Sequence, residues 1–276
     1  MGKTDELRTF FAKLMFSSSR SSDPRLERIF DLVPREAFLG AGPWKILVGE
    51  EYVDTPSADP IYLYQNVVVA LDASKGINNG APFLHARWIG AIAPQPGEFV
   101  TQIGVGTGYY TAILSMLVRP GGRVHGIELQ PELAALAQLN LKPFDNATVI
   151  SGDAVTSAFK PSDIIYVSAG VVAPPIHWLS ALRTGGRLIF PWRPSTDVAM
   201  ALLVTRMASG LSVQTLMQAW FIPCVGASQS TEDFHPPEVA TAWRTRSLHL
   251  VRELPPDESA TSVHKDVWFS SKVIES

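Results

Sequence analysis

Ile103-Gly104-Val105-Gly106-Thr107-Gly108-Tyr109-Tyr110 is the stretch on which the reading of this chain turns. Before it, Glu98 to Gly104 reads as a strand that ends in glycines. After it, Tyr109 to Leu117 reads as a helix. A ligand's polar group approaches such a loop closely only where side chains are missing. The helix that follows offers free backbone N–H groups and the positive end of its dipole. Alone, the loop is weak evidence, because a glycine-rich turn also packs a helix on a strand with no ligand at all.

Working downstream, the pattern stays regular. Arg123–Leu129, Ala147–Ser151, Asp163–Ser168 and Gly186–Pro191 read as strands. Pro131–Leu141 and Ile176–Leu182 read as helices between them. Such alternation predicts an α/β, Rossmann-like fold with a central, mostly parallel sheet and helices on both faces. Val198–Met207 and Ser212–Pro223 read as an antiparallel addition. Upstream, the spacing of Leu7, Phe10, Phe11 and Leu14 predicts a helix over 5–16. The serines of 17–22 read as a loop, and Asp23-Pro24 starts a second helix to about Leu32. Residues 40–60 read as irregular, 67–71 as a buried strand, 75–80 as a turn and Pro82–Ile92 as a helix. The expected division is a cap over 1–75, a core over 76–226, and an extension over 227–276 with at most a strand or two.

Two carboxylates give the glycine loop its meaning. Glu128 stands at the end of the next strand, near the ~20-residue offset of a carboxylate that accepts ribose hydroxyls. Gly152-Asp153-Ala154 ends the strand after that, where a short acid can accept an adenine amino group. Either acid alone reads as a surface carboxylate. In a dinucleotide site the helix end would face pyrophosphate, and in a methyl-donor site the carboxylate of a methionine part. The nicotinamide fingerprint is G-x-G-x-x-G, whereas the spacing here is G-x-G-x-G and no Tyr-x-x-x-Lys pair is evident. The reading therefore favours a methyl donor.

Composition narrows the rest. The 276 residues are 46% hydrophobic and 18% charged, an ordinary globular balance for one large domain. Lys and Arg total 23 against 26 Asp and Glu, so no basic excess exists to grip a polyanion, and nucleic acid is not an expected partner. The single cysteine, Cys224, rules out an internal disulfide and points to a reducing, cytoplasmic setting. The first sixteen residues do not read as a secretory signal, and no membrane span is expected. No histidine pair has metal-ligand spacing, so no metal site is expected.

Several stretches in order resemble the protein-L-isoaspartate O-methyltransferases, over roughly residues 25–226. They are Val33-Pro34-Arg35-Glu36-Ala37-Phe38, Tyr52 with Asp54, the 103–112 glycine stretch, Ile127-Glu128, Gly152-Asp153-Ala154, Gly185–Pro191 and Phe221–Gly226. The resemblance implies S-adenosyl-L-methionine as cofactor and a peptide, protein or small molecule as methyl acceptor. It implies a donor site drawn from Gly80, His85, Gln102, Gly104, Gly106, Thr107, Gly108, Tyr109, Glu128, Leu129, Gly152, Asp153 and Ala154. Asn79, Gly80 and His85 are the candidate catalytic residues. Two departures stand out. The family carries a serine, in a motif like I-S-x-P, where this chain has Gly80 in Asn78-Asn79-Gly80-Ala81-Pro82. Gln102 replaces an acid that often precedes the first glycine. The cofactor half of the resemblance thus carries over and the substrate half does not. The expected activity is O-methylation of a carboxylate or other nucleophile, without ordinary isoaspartate repair, which a Gly80→Ser change would then restore. The alternative is a binding module that lost its chemistry with the serine.

Overall fold

The computed structural model describes residues 2–229 and 234–274. Its helices are α1 (Lys3–Ser19), α2 (Arg25–Leu32), α3 (Pro82–Ile92), α4 (Tyr109–Leu117), α5 (Pro131–Asn140), α6 (Ile176–Ala181) and α7 (Val239–Ala242). The first strands are β1 (Lys45–Val48), β2 (Glu51–Asp54), β3 (Ala70–Asp72), β4 (Ile77–Asn78), β5 (Phe99–Ile103), β6 (Arg123–Glu128) and β7 (Ala147–Ser151). There follow β8 (Ser162–Val167), β9 (Leu182–Trp192), β10 (Met200–Met207), β11 (Gly210–Gln218), β12 (Ser247–Leu250), β13 (Ala260–Val263) and β14 (Val267–Ser270). By internal contacts the chain divides into two units. One runs up to Glu98 and includes Gly104–Gly152; the other holds Phe99–Ile103 and everything from Asp153 on.

In the first unit, α1 packs against α2 and α3. Phe11 lies edge-on to Phe30 at 6.3 Å and to Tyr64 at 5.5 Å, and all three are buried. Gly90 lets α3 approach the end of α1, since a Cβ there would lie 2.3 Å from the Ser19 carbonyl oxygen. β6 and β7 run parallel, with Glu128 opposite Ser151. In the second unit the order is β13-β14-β12-β11-β10-β9-β8-β5. β5, β8 and β9 are parallel, and the strands from β9 outward are antiparallel. Tyr166, Phe190, Trp192 and Phe269 are fully buried there. The sheet is therefore mixed, with more antiparallel pairing than the strand–helix alternation implies.

Most expected elements from 82 to 192 form within a residue or two of their expected ends, but β9 starts at Leu182 rather than Gly186. Four other readings need correction. The first helix continues through the serines to Ser19, because Ser18 Oγ and Ser19 Oγ bond back to the Leu14 and Phe16 carbonyls at 2.8 and 2.6 Å. Residues 45–54 are not irregular but a hairpin, closed by Gly49-Glu50 with Gly49 at φ 62°. The 67–71 stretch yields only a short strand at Ala70–Asp72, although Val67 and Val69 are buried. The extension holds, among the described residues, a helix and three strands, where two strands at most were expected. Among the described residues, no helix is long and apolar enough to cross a membrane.

Candidate functional site

Three glycines shape the loop ahead of α4. Gly104, Gly106 and Gly108 all lie in the left-handed region, with φ of 73°, 58° and 96°. That conformation is costly for a residue with a Cβ. Gly108 caps α4, and a Cβ there would press on Leu141 Cγ at 3.1 Å. Gly104 N–H donates to the Ile127 carbonyl at 3.0 Å, which ties the loop to β6. The decisive bond runs from Gly106 N–H to Glu128 Oε2, at 2.8 Å. Glu128 Oε1 accepts from Gln130 N–H at 3.0 Å. The carboxylate is only 6% exposed, and burial raises its pKa against the opposing backbone N–H groups. A carboxylate has about four lone-pair directions. The Gly106 and Gln130 N–H groups meet one oxygen each, and the Val105 and Leu129 N–H groups also bear on the carboxylate, which leaves a fixed acceptor at a strand end, the chemistry that a ribose hydroxyl requires.

The neighbouring predicted residues are placed around this bond. Thr107 is buried and its carbonyl accepts from Asn140 Nδ2 at 3.0 Å. Tyr109 is buried edge-on to Phe38 at 5.6 Å. Leu129 is 40% exposed, and Gly152 N–H donates to the Glu128 carbonyl at 2.9 Å. Leu71, which carries no role in the sequence reading, lies where a Cβ on Gly106 would meet its Cδ1 at 3.0 Å.

The Asn78–Gly80 turn belongs to the same unit. Asn78 Oδ1 accepts from Gly80 N–H at 2.9 Å, and Asn78 Nδ2 donates to Tyr52 Oη and the Gly76 carbonyl, both at 3.2 Å. Asn79 Oδ1 accepts from Val69 N–H at 2.9 Å, while Asn79 N–H donates to the Val69 carbonyl at 3.0 Å. Both carboxamides thus hold the turn, and Asn79 Nδ2 is buried without a partner. Gly80 has φ 72°, and a Cβ built on it would sit 2.2 Å from His85 Nε2. The imidazole fills the space a serine side chain would need. His85 is 2% exposed and stacks on Tyr110 with centroids 3.7 Å apart. Burial, then the charge of Arg35, pushes its pKa down to about 3, so the ring is neutral near pH 7. A serine at 80 therefore requires the imidazole to move, so the substitution is not the simple restoration that the sequence suggests.

Three predicted donor residues fall in the second unit. Gln102, on β5, is 1% exposed and its Oε1 has no partner. Asp153 Oδ1 accepts from Val155 N–H at 2.8 Å. The Ala154 carbonyl accepts from Trp178 Nε1 at 3.0 Å and bonds His177 Nε2 at 3.1 Å. Cys224 is buried, which pushes its thiol up to about 11. Among the described residues no group of acids, histidines and cysteine is arranged to hold a metal ion.

Against known proteins, residues 47–229 match the family model described as protein-L-isoaspartate(D-aspartate) O-methyltransferase. The chain belongs to this family. The Protochlamydia amoebophila protein-L-isoaspartate O-methyltransferase is 32% identical over 74% of this chain and 90% of its own length. The Aeropyrum pernix enzyme of the same name is 31% identical over 59% of this chain, and the chain spans 65% of that relative. A solved protein-L-isoaspartate O-methyltransferase aligns with a TM-score of 0.69 and 20% identity, covering 96% of this chain and 88% of that one. A Plasmodium falciparum structure of that description, in complex with S-adenosyl-L-homocysteine, aligns at 0.63 and 17% identity, over 79% of this chain and 97% of that one. These two likenesses show the fold alone, a Rossmann-like α/β arrangement.

Leu71 and the buried state of Arg35 escaped the sequence reading, whereas Tyr110 was already a candidate pocket residue in it. Arg35 had a signal, the Val-Pro-Arg stretch. Leu71 lies on an apolar segment that reads as core, and only its position in space brings it to Gly106.

Proposed function

We propose that this chain is an S-adenosylmethionine-dependent O-methyltransferase whose acceptor is a carboxylate of a peptide, protein or small molecule. The observation that carries the donor half is the Gly106–Glu128 bond: a buried carboxylate at a strand end, aligned by the backbone of a glycine loop. Gly104, Gly106, Thr107, Gly108 and Tyr109 would form the loop against the donor, with Glu128 and Leu129 at its sugar. Gln102, Gly152, Asp153 and Ala154 are proposed for the rest of the nucleoside on chain order alone.

When bound, the cofactor supplies a methyl group on a positive sulfonium, a leaving group that needs no protonation. The chain's task is then alignment and exclusion of water, and positioning can contribute up to ~7–11 kcal/mol. The acceptor half rests on His85. A neutral imidazole with a pKa of about 3 is a poor general base at pH 7. Hydroxyl or amine acceptors need such a base, whereas a carboxylate, with a pKa near ~4, is already ionised. The site thus favours an acceptor that arrives as an anion. At this turn the donor left over for it is Asn79 Nδ2, since Gly80 N–H is held by Asn78 Oδ1 and position 80 carries no hydroxyl.

Calorimetric titration with S-adenosylhomocysteine, followed by methyl-release assays on carboxylate peptides with and without isoaspartate, tests the reading. Micromolar binding and turnover on a carboxylate acceptor are expected. No binding at millimolar ligand rejects the donor site, and binding with no turnover on any carboxylate rejects the acceptor class.

A further inference from the structure

One buried charge in the first unit has no counter-ion. Arg35 is fully buried. Its Nη1 donates to the Leu63 and Gln65 carbonyls at 2.5 and 3.4 Å, and its Nη2 to the Val67 carbonyl at 2.7 Å. Nε has no partner, and among the described residues Arg35 forms no ion pair. A guanidinium stays protonated in proteins, so the cation is held by neutral groups: three carbonyl dipoles and the face of the Phe11 ring, whose centroid lies 6.0 Å from the guanidinium carbon. Burying a charge that way is expensive, and a partner anion is the usual compensation.

The same region holds two more unsatisfied groups. Tyr109 Oη and Tyr110 Oη are buried with no hydrogen-bond partner. Native interiors seldom leave such groups unpaired, and each calls for a physical explanation. Both tyrosines open α4 directly after the glycine loop. Phe38, in the same helical turn as Arg35, packs on Tyr109, and Tyr110 stacks on His85. The electrostatics link the groups as well: the charge of Arg35 acts on Tyr109, Tyr110 and His85. The dipole end of α4 adds to this positive field.

We infer that Arg35 is an electrostatic positioning residue for the anionic end of the methyl donor, the carboxylate of its methionine part. The inference rests on the donor reading above and adds a residue that need not touch the ligand. A cation without a counter-ion whose field reaches the two tyrosines that follow the loop raises affinity for a ligand that carries a carboxylate. It does nothing for one that carries only the nucleoside. Being buried, the charge acts through a low dielectric and resists screening by salt.

The test compares two ligands on the full chain by calorimetry. S-adenosylhomocysteine carries the amino-acid arm, and 5′-methylthioadenosine has a methyl group in its place. Arg35→Gln keeps N–H donors for the carbonyls and removes the charge; Arg35→Lys keeps the charge. Arg35→Gln is expected to weaken S-adenosylhomocysteine about tenfold while methylthioadenosine changes less than about twofold. Arg35→Lys is expected to keep the ratio of the two affinities within about threefold of the wild type. Equal weakening of both ligands in Arg35→Gln, or no weakening of either, overturns the inference and leaves Arg35 a structural clamp. Should Arg35→Gln fail to fold by circular dichroism, folded Arg35→Lys decides: a kept ratio supports the inference, and a lost one overturns it. A wild type that binds neither nucleoside rejects the donor reading itself, and the role of Arg35 with it.

Discussion

The loop at Gly106 and the turn at Gly80 are built alike: each glycine has positive φ, and each stands just before a helix. They differ in what the missing side chain leaves behind. At Gly106 the backbone N–H meets the Glu128 carboxylate, and a Cβ would touch only the end of a leucine. At Gly80 the space belongs to His85, a stacked and desolvated ring. The first glycine serves a polar approach and the second serves a neighbour. A glycine in a sequence therefore marks a place where a Cβ is unwelcome, without saying who excludes it.

The strongest way to break this comparison is Glu128→Ala. Removing the acceptor of the Gly106 and Gln130 N–H groups also removes the proposed ribose partner. Affinity for S-adenosylhomocysteine is expected to fall about 100-fold or more by calorimetry. A change under threefold would make the Gly106–Glu128 bond a purely internal one.

Gly80→Ser probes the other side. Its Cβ overlaps an imidazole that is pinned by Tyr110, and its backbone stays left-handed. A loss of about 2–3 kcal/mol in urea unfolding is expected. Adding His85→Ala should make the pair less destabilised than the sum of the single changes, by about 1–2 kcal/mol. Strict additivity would show that the ring and position 80 do not compete for space.

The pH dependence sharpens the view of His85. Its pKa is lowered in the folded state to about 3, below the ordinary 6.5. The unfolded chain therefore takes up the proton first as pH falls. The stability linked to this group is full above pH 6.5 and is lost as pH drops toward 3. Between pH 7 and 5 the wild type is expected to lose about 2 kcal/mol more than His85→Asn. Parallel stability curves for the two proteins would contradict a desolvated histidine.

The smallest effect is expected from Asn78→Ala, which removes the bond to Gly80 N–H and the contact with Tyr52. About 1 kcal/mol of stability should go, with S-adenosylhomocysteine affinity unchanged. An equal loss of donor affinity would merge the two glycine regions into one binding surface.

What the sequence determined by itself was the local order of the chain from 82 to 192. Hydrophobic periodicity, proline at Pro82 and Pro131, and glycine at the end of β5 act within a few residues, and elements there form close to where the pattern places them. The place of Glu128 at the end of the next strand was also legible, because that spacing is fixed by one strand–helix–strand unit; its bond to Gly106 N–H was not. Short-range composition misled at 40–60, where charged residues on exposed hairpin faces look like a loop, and at Ser17–Ser19, where side chains bond back to the helix. Tertiary structure alone decided the rest. That His85 fills the place of a side chain at 80, and that Arg35 is buried without an anion, depend on packing between segments distant in sequence. No periodicity records such distances: excluded volume and desolvation exist only once the segments have met.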